Sequence, residues 1–169
     1  MTRRSRAHLG GIALAALVTI AGAGCADGDA TANPTDPPAA NDATLTGVVF
    51  DVHRDPGCGC CTSWVEYLRT HGATVDVTDD PERPAYRTEL GIDDEVASCH
   101  TAEVDGYVIE GHVPAEAIQR LRTERPDAIG LALPGMPADS PGMGGDTKDW
   151  ADQPVVLVEA DGSLSEWDW

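Results

Sequence analysis

Three cysteines fall within four residues, Cys58-Gly59-Cys60-Cys61, and a fourth, Cys99, stands well downstream. Thiolate sulfur is both a nucleophile and a soft metal ligand, so this spacing supports several chemistries. Cys58 and Cys61 have the spacing of a disulfide-exchange dithiol, with Cys60 crowding its middle. Zinc takes four thiolates, but its structural sites use two separated cysteine pairs. Adjacent Cys60 and Cys61 chelate a single tetrahedral ion poorly. They suit sulfurs that bridge more than one soft ion, and soft thiolates select Cu(I). Two disulfides, one within the cluster and one to Cys99, are the structural alternative in an exported chain. Loops that short gain little from being closed.

Other candidate donors lie close in sequence. His100 adjoins Cys99, and His112 follows a predicted hairpin. Either offers a nitrogen ligand or a proton shuttle, or is a hydrogen-bonded loop histidine. Met136 and Met143 sit in matching Pro-Gly-Met turns, where a thioether serves as a soft copper ligand or fills a gap in the core. His53 and His71 read as surface residues. There is no Ser-His-Asp order, phosphate loop or convincing carboxylate pair, so no catalytic residue is assigned.

The elements that position these groups follow from local pattern. Residues 45–52 form a β-branched run and read as a strand. Residues 62–71 place Trp64, Val65 and Leu68 at helical spacing, with Thr62 or Ser63 as cap and Gly72 as stop. The cluster thus lies between a strand and a helix N-terminus, where free N–H groups and the helix dipole favour thiolate. A second strand over 73–78 and a short helix over 84–90 follow. Asp105-Gly106 joins strands 101–104 and 107–109 as a hairpin. Pro114 opens a third helix as its first residue. Residues 131–145 read as a Gly/Pro-rich loop, and 155–159 with 164–167 as a closing hairpin around Asp161-Gly162.

This order predicts a single α/β domain of the thioredoxin and glutaredoxin arrangement, with the Gly/Pro-rich loop and hairpin appended. In glutaredoxins the strand after the cis-proline leads to a glycine turn, a second strand and a helix. Aligning that turn on Gly106 puts His100 at the cis-proline position, with Cys99 just before it and facing the first helix N-terminus. All four sulfurs then converge on one site.

Composition divides the chain. Residues 1–24 carry Arg3, Arg4 and Arg6 and no acidic residue, while the remainder holds all 29 Asp and Glu. So acidic a body repels phosphate backbones, which argues against nucleic-acid binding. The apolar run after the basic head is too short and glycine-rich for a membrane span and reads as a signal peptide, 1–24. Its end, Ala21-Gly22-Ala23-Gly24-Cys25, is similar to a bacterial lipobox, although Gly22 stands where an aliphatic residue is usual. Cys25 is therefore the expected lipidation site, and ordinary cleavage nearby is the alternative. Residues 25–43 have too little apolar content to build a core and are expected to be a disordered tether. The folded domain is expected over 44–169.

Three segments together carry a resemblance: Pro56 to Leu68 with its CxCC, Ser98 to Pro114, and Gly130 to Met143 with both Pro-Gly-Met turns. They resemble the domain of unknown function 411 family of small envelope metal-binding proteins, which includes the CopG-type copper-resistance proteins. The resemblance runs over about 48–167. It implies a thioredoxin-like fold, a bacterial envelope location, and copper sequestration or transfer with Cys58, Cys60, Cys61 and Cys99 as cluster ligands. His100, Met136 and Met143 remain possible further donors, and envelope copper-transport proteins possible partners. A thiol-disulfide oxidoreductase using Cys58 and Cys61 is the competing expectation.

Overall fold

The computed structural model describes residues 44–145, 150 and 152–169. The expected signal peptide, Cys25 and the tether lie outside the described residues. The chain runs β1 (Val49–Arg54), α1 (Gly59–Thr70), β2 (Thr74–Asp79), α2 (Arg83–Glu89), a 3-10 turn (Asp94–Val96), β3 (His100–Val104), β4 (Tyr107–Glu110), α3 (Ala115–Glu124), β5 (Ala128–Ala132), β6 (Val156–Glu159) and β7 (Leu164–Glu166). The fold is mixed α/β. Its seven strands form one sheet in the order β2-β1-β3-β4-β5-β6-β7, parallel at β1/β2 and β4/β5 and antiparallel elsewhere.

Alternation along the strands sorts side chains to two faces. On β4, Tyr107 and Ile109 join the main core with Phe50, Trp64, Leu68, Ile118 and Leu121 of β1, α1 and α3. The intervening Val108 joins a smaller cluster with Ile92, Val96, Ala132 and Val158. Helices α1 and α3 therefore pack on one face, and the segment after α2 packs on the other. Both predicted hairpins form. Asp105 and Gly106 both take positive φ, +50° and +86°, the conformation a tight right-twisting turn requires. Among the described residues no helix is long and apolar enough to cross a membrane.

Four expectations about element bounds are corrected. The first strand starts at Val49, because Thr46-Gly47 turns the chain and Leu45 bonds the end of α1 through His71 O at 2.7 Å. Helix α1 starts at Gly59, so Cys60 and Cys61 are helical and neither Thr62 nor Ser63 is its cap. Pro114 keeps extended backbone, φ −64° and ψ 148°, and flanks α3 as its N-cap instead of being its first residue. Residues 128–132, partly read as loop, are strand β5. Gly130 hides that strand from a propensity reading. A Cβ there would stand 1.8 Å from the Val108 carbonyl oxygen, so β5 can lie against β4 only with glycine at this bulge.

Candidate metal centre

Beyond Arg54 the chain turns through Asp55-Pro56-Gly57 into α1, with Cys58 as the N-cap. The Cys58 sulfur accepts a hydrogen bond from the Cys61 N–H at 3.3 Å, doing with a thiol-derived atom what Ser or Asp does at most helix starts. Cys60 and Cys61 thus occupy the first turn, whose unpaired N–H groups favour negative charge. One backbone bond ties this turn to the Cys99 segment, Asp55 N–H donating to Cys99 O at 3.2 Å, and a second, Cys58 N–H to Asp55 O at 3.1 Å, closes the turn itself.

The sulfurs of Cys58, Cys60, Cys61 and Cys99 all lie within 4.8 Å of one another. Cys58 and Cys61 are joined as a disulfide, and Cys60 and Cys99 are free thiols. The second disulfide of the structural alternative is therefore absent. Cys60 Sγ stands 3.4 Å from Cys58 Sγ and 3.8 Å from Cys99 Sγ. Cys61 is fully buried, Cys99 is 9% exposed, and Cys60 is half-buried. Burial, then the neighbouring Cys60, push the Cys99 thiol up to about 12. It keeps its proton at neutral pH unless a metal displaces it.

Two buried imidazoles flank Cys99. His112 Nδ1 is 2.8 Å from Pro141 O, and His100 Nε2 is 2.9 Å from Gly111 O. A carbonyl only accepts, so both of these nitrogens carry hydrogen. The opposite nitrogens, His112 Nε2 at 3.4 Å and His100 Nδ1 at 3.5 Å, present lone pairs toward Cys99 Sγ. Burial first lowers the pKa of each, and His112 lowers that of His100 further, so both rings stay neutral. This is how metal-binding histidines are oriented elsewhere, one nitrogen anchored and the other free. Cys99, His100 and His112 form a second group whose donor atoms lie within 4.8 Å of one another. His112, read from the sequence as a nitrogen donor, a proton shuttle or a hydrogen-bonded loop histidine, is bonded to Pro141, 29 residues away.

The Cys99 segment is braced by a carboxylate that carried no sequence signal. Glu110, fully buried, accepts from Ser98 N–H and from Thr101 Oγ1, each at 2.6 Å. Arg83 of α2 stands 3.6 Å from it and donates from Nε to Asp55 at 2.9 Å, linking the two cysteine-bearing segments. Burial raises the Glu110 pKa, opposed by these hydrogen bonds and by Arg83 and Arg87.

The Gly/Pro-rich loop reaches the site through its backbone at Pro141. Gly142 there, at φ +81°, packs against the Trp64 backbone of α1. Met136 is 41% exposed, with φ +46°, and Met143 is half-buried in a turn closed by its N–H to Ser140 O at 2.9 Å.

A family model described as a protein of unknown function, DUF411, matches residues 96–143. That stretch runs from just before Cys99 through His112 to Met143. Two solved structures of the copper resistance protein CopG, form 1 and form 2, each match at 41% identity with a TM-score of 0.64. Each match covers 71% of this chain, and 94% and 95% of the respective CopG chains. This chain belongs to the DUF411 family, of the CopG type. No curated protein matches it. The DUF411 match begins after the CxCC, so the site joins a turn outside the matched stretch to donors within it.

Proposed function

We propose that this protein binds copper as Cu(I) through Cys58, Cys60, Cys61 and Cys99, and sequesters it or passes it to envelope copper-transport proteins, contributing to copper resistance. The convergence of four sulfurs within 4.8 Å carries the reading. Metal–thiolate bonds of about 2.3 Å let one ion span sulfurs up to ~4.6 Å apart, so neighbouring ions here would share sulfurs. Likeness to CopG supports copper over zinc, and so does the softness of the donor set. His100, Met136 and Met143 are further candidate donors. The fold is read as thioredoxin-like, supported by the β2-β1-β3-β4 order with α1 after β1, α2 after β2 and α3 after the hairpin. Export with a lipid on Cys25 would place the domain at the outer face of a bacterial membrane, on a tether.

Loading of all four sulfurs requires the Cys58–Cys61 disulfide to open, which consumes two electrons and two protons. Each thiol that ligates then releases its proton, so binding weakens on acidification. The helix N-terminus helps hold the charge that remains.

The disulfide itself supports a second reading, a thiol-disulfide oxidoreductase using Cys58 and Cys61. One experiment separates the two: anaerobic Cu(I) titration of reduced Cys→Ser variants at the four positions, beside a disulfide-reductase assay. Each single Ser variant should lose more than one ion's share of copper, because shared sulfurs leave their neighbours under-coordinated, while Met136→Leu loses much less. A Cys60→Ser protein with unchanged copper capacity and full reductase activity overturns the copper reading in favour of the oxidoreductase.

A further inference from the structure

With the Cys58–Cys61 disulfide closed, two thiols remain among the described residues, and they face each other. Their 3.8 Å separation, spanned by metal–thiolate bonds of about 2.3 Å, subtends about 110° at a shared ion. That angle is close to the tetrahedral value, far from the linear arrangement of a closed two-coordinate ion, and leaves further positions open on the ion. The groups around Cys99 are also rich in acceptors and poor in hydrogen. Cys60 Sγ, His100 Nδ1 and His112 Nε2 all stand within 3.8 Å of Cys99 Sγ. Each imidazole has already committed its N–H to a backbone carbonyl, so only the two S–H hydrogens are left to share. A soft cation satisfies these lone pairs together. The two thiols also differ in access. Cys60 is half-buried and Cys99 nearly sealed, so an ion reaches the pair from the Cys60 side.

We infer that Cys60 and Cys99 form a one-ion Cu(I) site that remains competent while the Cys58–Cys61 disulfide is closed. The inference rests on the copper reading above for the identity of the ion, but not on a four-sulfur cluster. Binding is a simple exchange: one Cu(I) and two thiols give a bis-thiolate complex of charge −1 and two released protons, and the disulfide is untouched. Opening the disulfide is a separate step in which a phosphine or dithiol delivers two electrons, two protons are taken up, and two thiols result. Combined with the four-thiolate reading, the disulfide then sets capacity. The closed form holds one ion and the open form holds more. When a small-molecule disulfide takes two electrons from Cys58 and Cys61, leaving as two thiols while the protein disulfide closes, the site therefore sheds copper without emptying.

The test is an anaerobic titration with Cu(I), read by competition with a chromophoric Cu(I) chelator. The full domain is used with its disulfide closed, verified by mass spectrometry, and again after phosphine reduction. The closed form should bind about one equivalent, lost in Cys60→Ser and in Cys99→Ser. A Cys58→Ser/Cys61→Ser double variant, which can neither close the disulfide nor shuffle it, should also bind about one equivalent. Closed protein and double variant that both bind no Cu(I), while reduced wild type binds several equivalents, overturn the inference and leave the four-thiolate reading standing. One equivalent in the closed form with no gain on reduction upholds the Cys60–Cys99 site and removes the four-thiolate cluster.

Discussion

Gly142 offers a test of how the loop reaches the site. It takes φ +81°, and a Cβ there would meet Trp64 N at 2.6 Å and Trp64 Cα at 2.9 Å, both backbone atoms of a buried helix turn. Gly142→Ala should therefore incur two penalties. Left-handed backbone costs a non-glycine residue about 1–2 kcal/mol, and crowding against a fixed backbone costs about 1–3 kcal/mol. Gly135 provides the control, because it has a similar φ of +77° and nothing within 4 Å of its Cβ position. Gly135→Ala should incur the first penalty alone. The difference between the two variants, about 1–3 kcal/mol, isolates the contact with α1. Urea unfolding of the reduced, metal-free variants measures it. The contact also has a chemical consequence. Relief of the clash moves Pro141 away from His112, and its carbonyl, 2.8 Å from Nδ1, is what reserves Nε2 for Cys99. Nitrogen-15 shifts of the His112 ring should pass from one tautomer to a mixture in Gly142→Ala and stay unchanged in Gly135→Ala. Equal stability of the two variants with an unaltered His112 tautomer would refute the argument.

Metal-free protein should lose stability as pH falls below about 6.5, the ordinary histidine value. Burial holds the folded-state pKa of His100 and His112 below it, so in that window the unfolded chain binds more protons than the folded one. The slope approaches about 2.7 kcal/mol per pH unit when both rings contribute. Glu110, raised by burial, works the other way with a single proton, losing stability as pH rises through its folded value; two histidines outweigh it. Urea midpoints between pH 7.5 and 5.5 test this, and a flat or rising trend on acidification counts against it. On location, Cys25→Ala should release the protein from the membrane fraction, and a variant that fractionates like wild type points to simple secretion.

Much of the frame is written in local sequence. Asp105-Gly106 and Asp161-Gly162 announce their hairpins because left-handed turn conformations are available to few residue types. The spacing of Trp64, Val65 and Leu68 announces α1 because helical periodicity is a property of near neighbours. The clustering of Cys58, Cys60 and Cys61 at a strand-to-helix junction is legible for the same reason. Cys99 was placed beside them only by fitting its hairpin to a known arrangement of elements, and the sheet order with β3 next to β1 is what brings it there.

Other features depend on contacts no local pattern encodes. The spacing of Cys58 and Cys61 already allowed the disulfide they form, but that Cys60 is the sulfur left toward Cys99, 3.8 Å away, depends on how β3 meets the first turn of α1. Strand β5 exists because Gly130 admits the Val108 carbonyl, a matter of the neighbouring strand. The tautomers of His100 and His112 are set by carbonyls of Gly111 and Pro141, which approach only once β4 and the Gly/Pro-rich loop are in place. Arg83 joins Asp55 to Glu110 across three separate elements. Residue type and spacing thus determined which donor chemistry the chain carries. Tertiary structure decided which lone pairs face which sulfur, because that depends on distances between segments whose approach is set by sheet order and by glycines at close contacts.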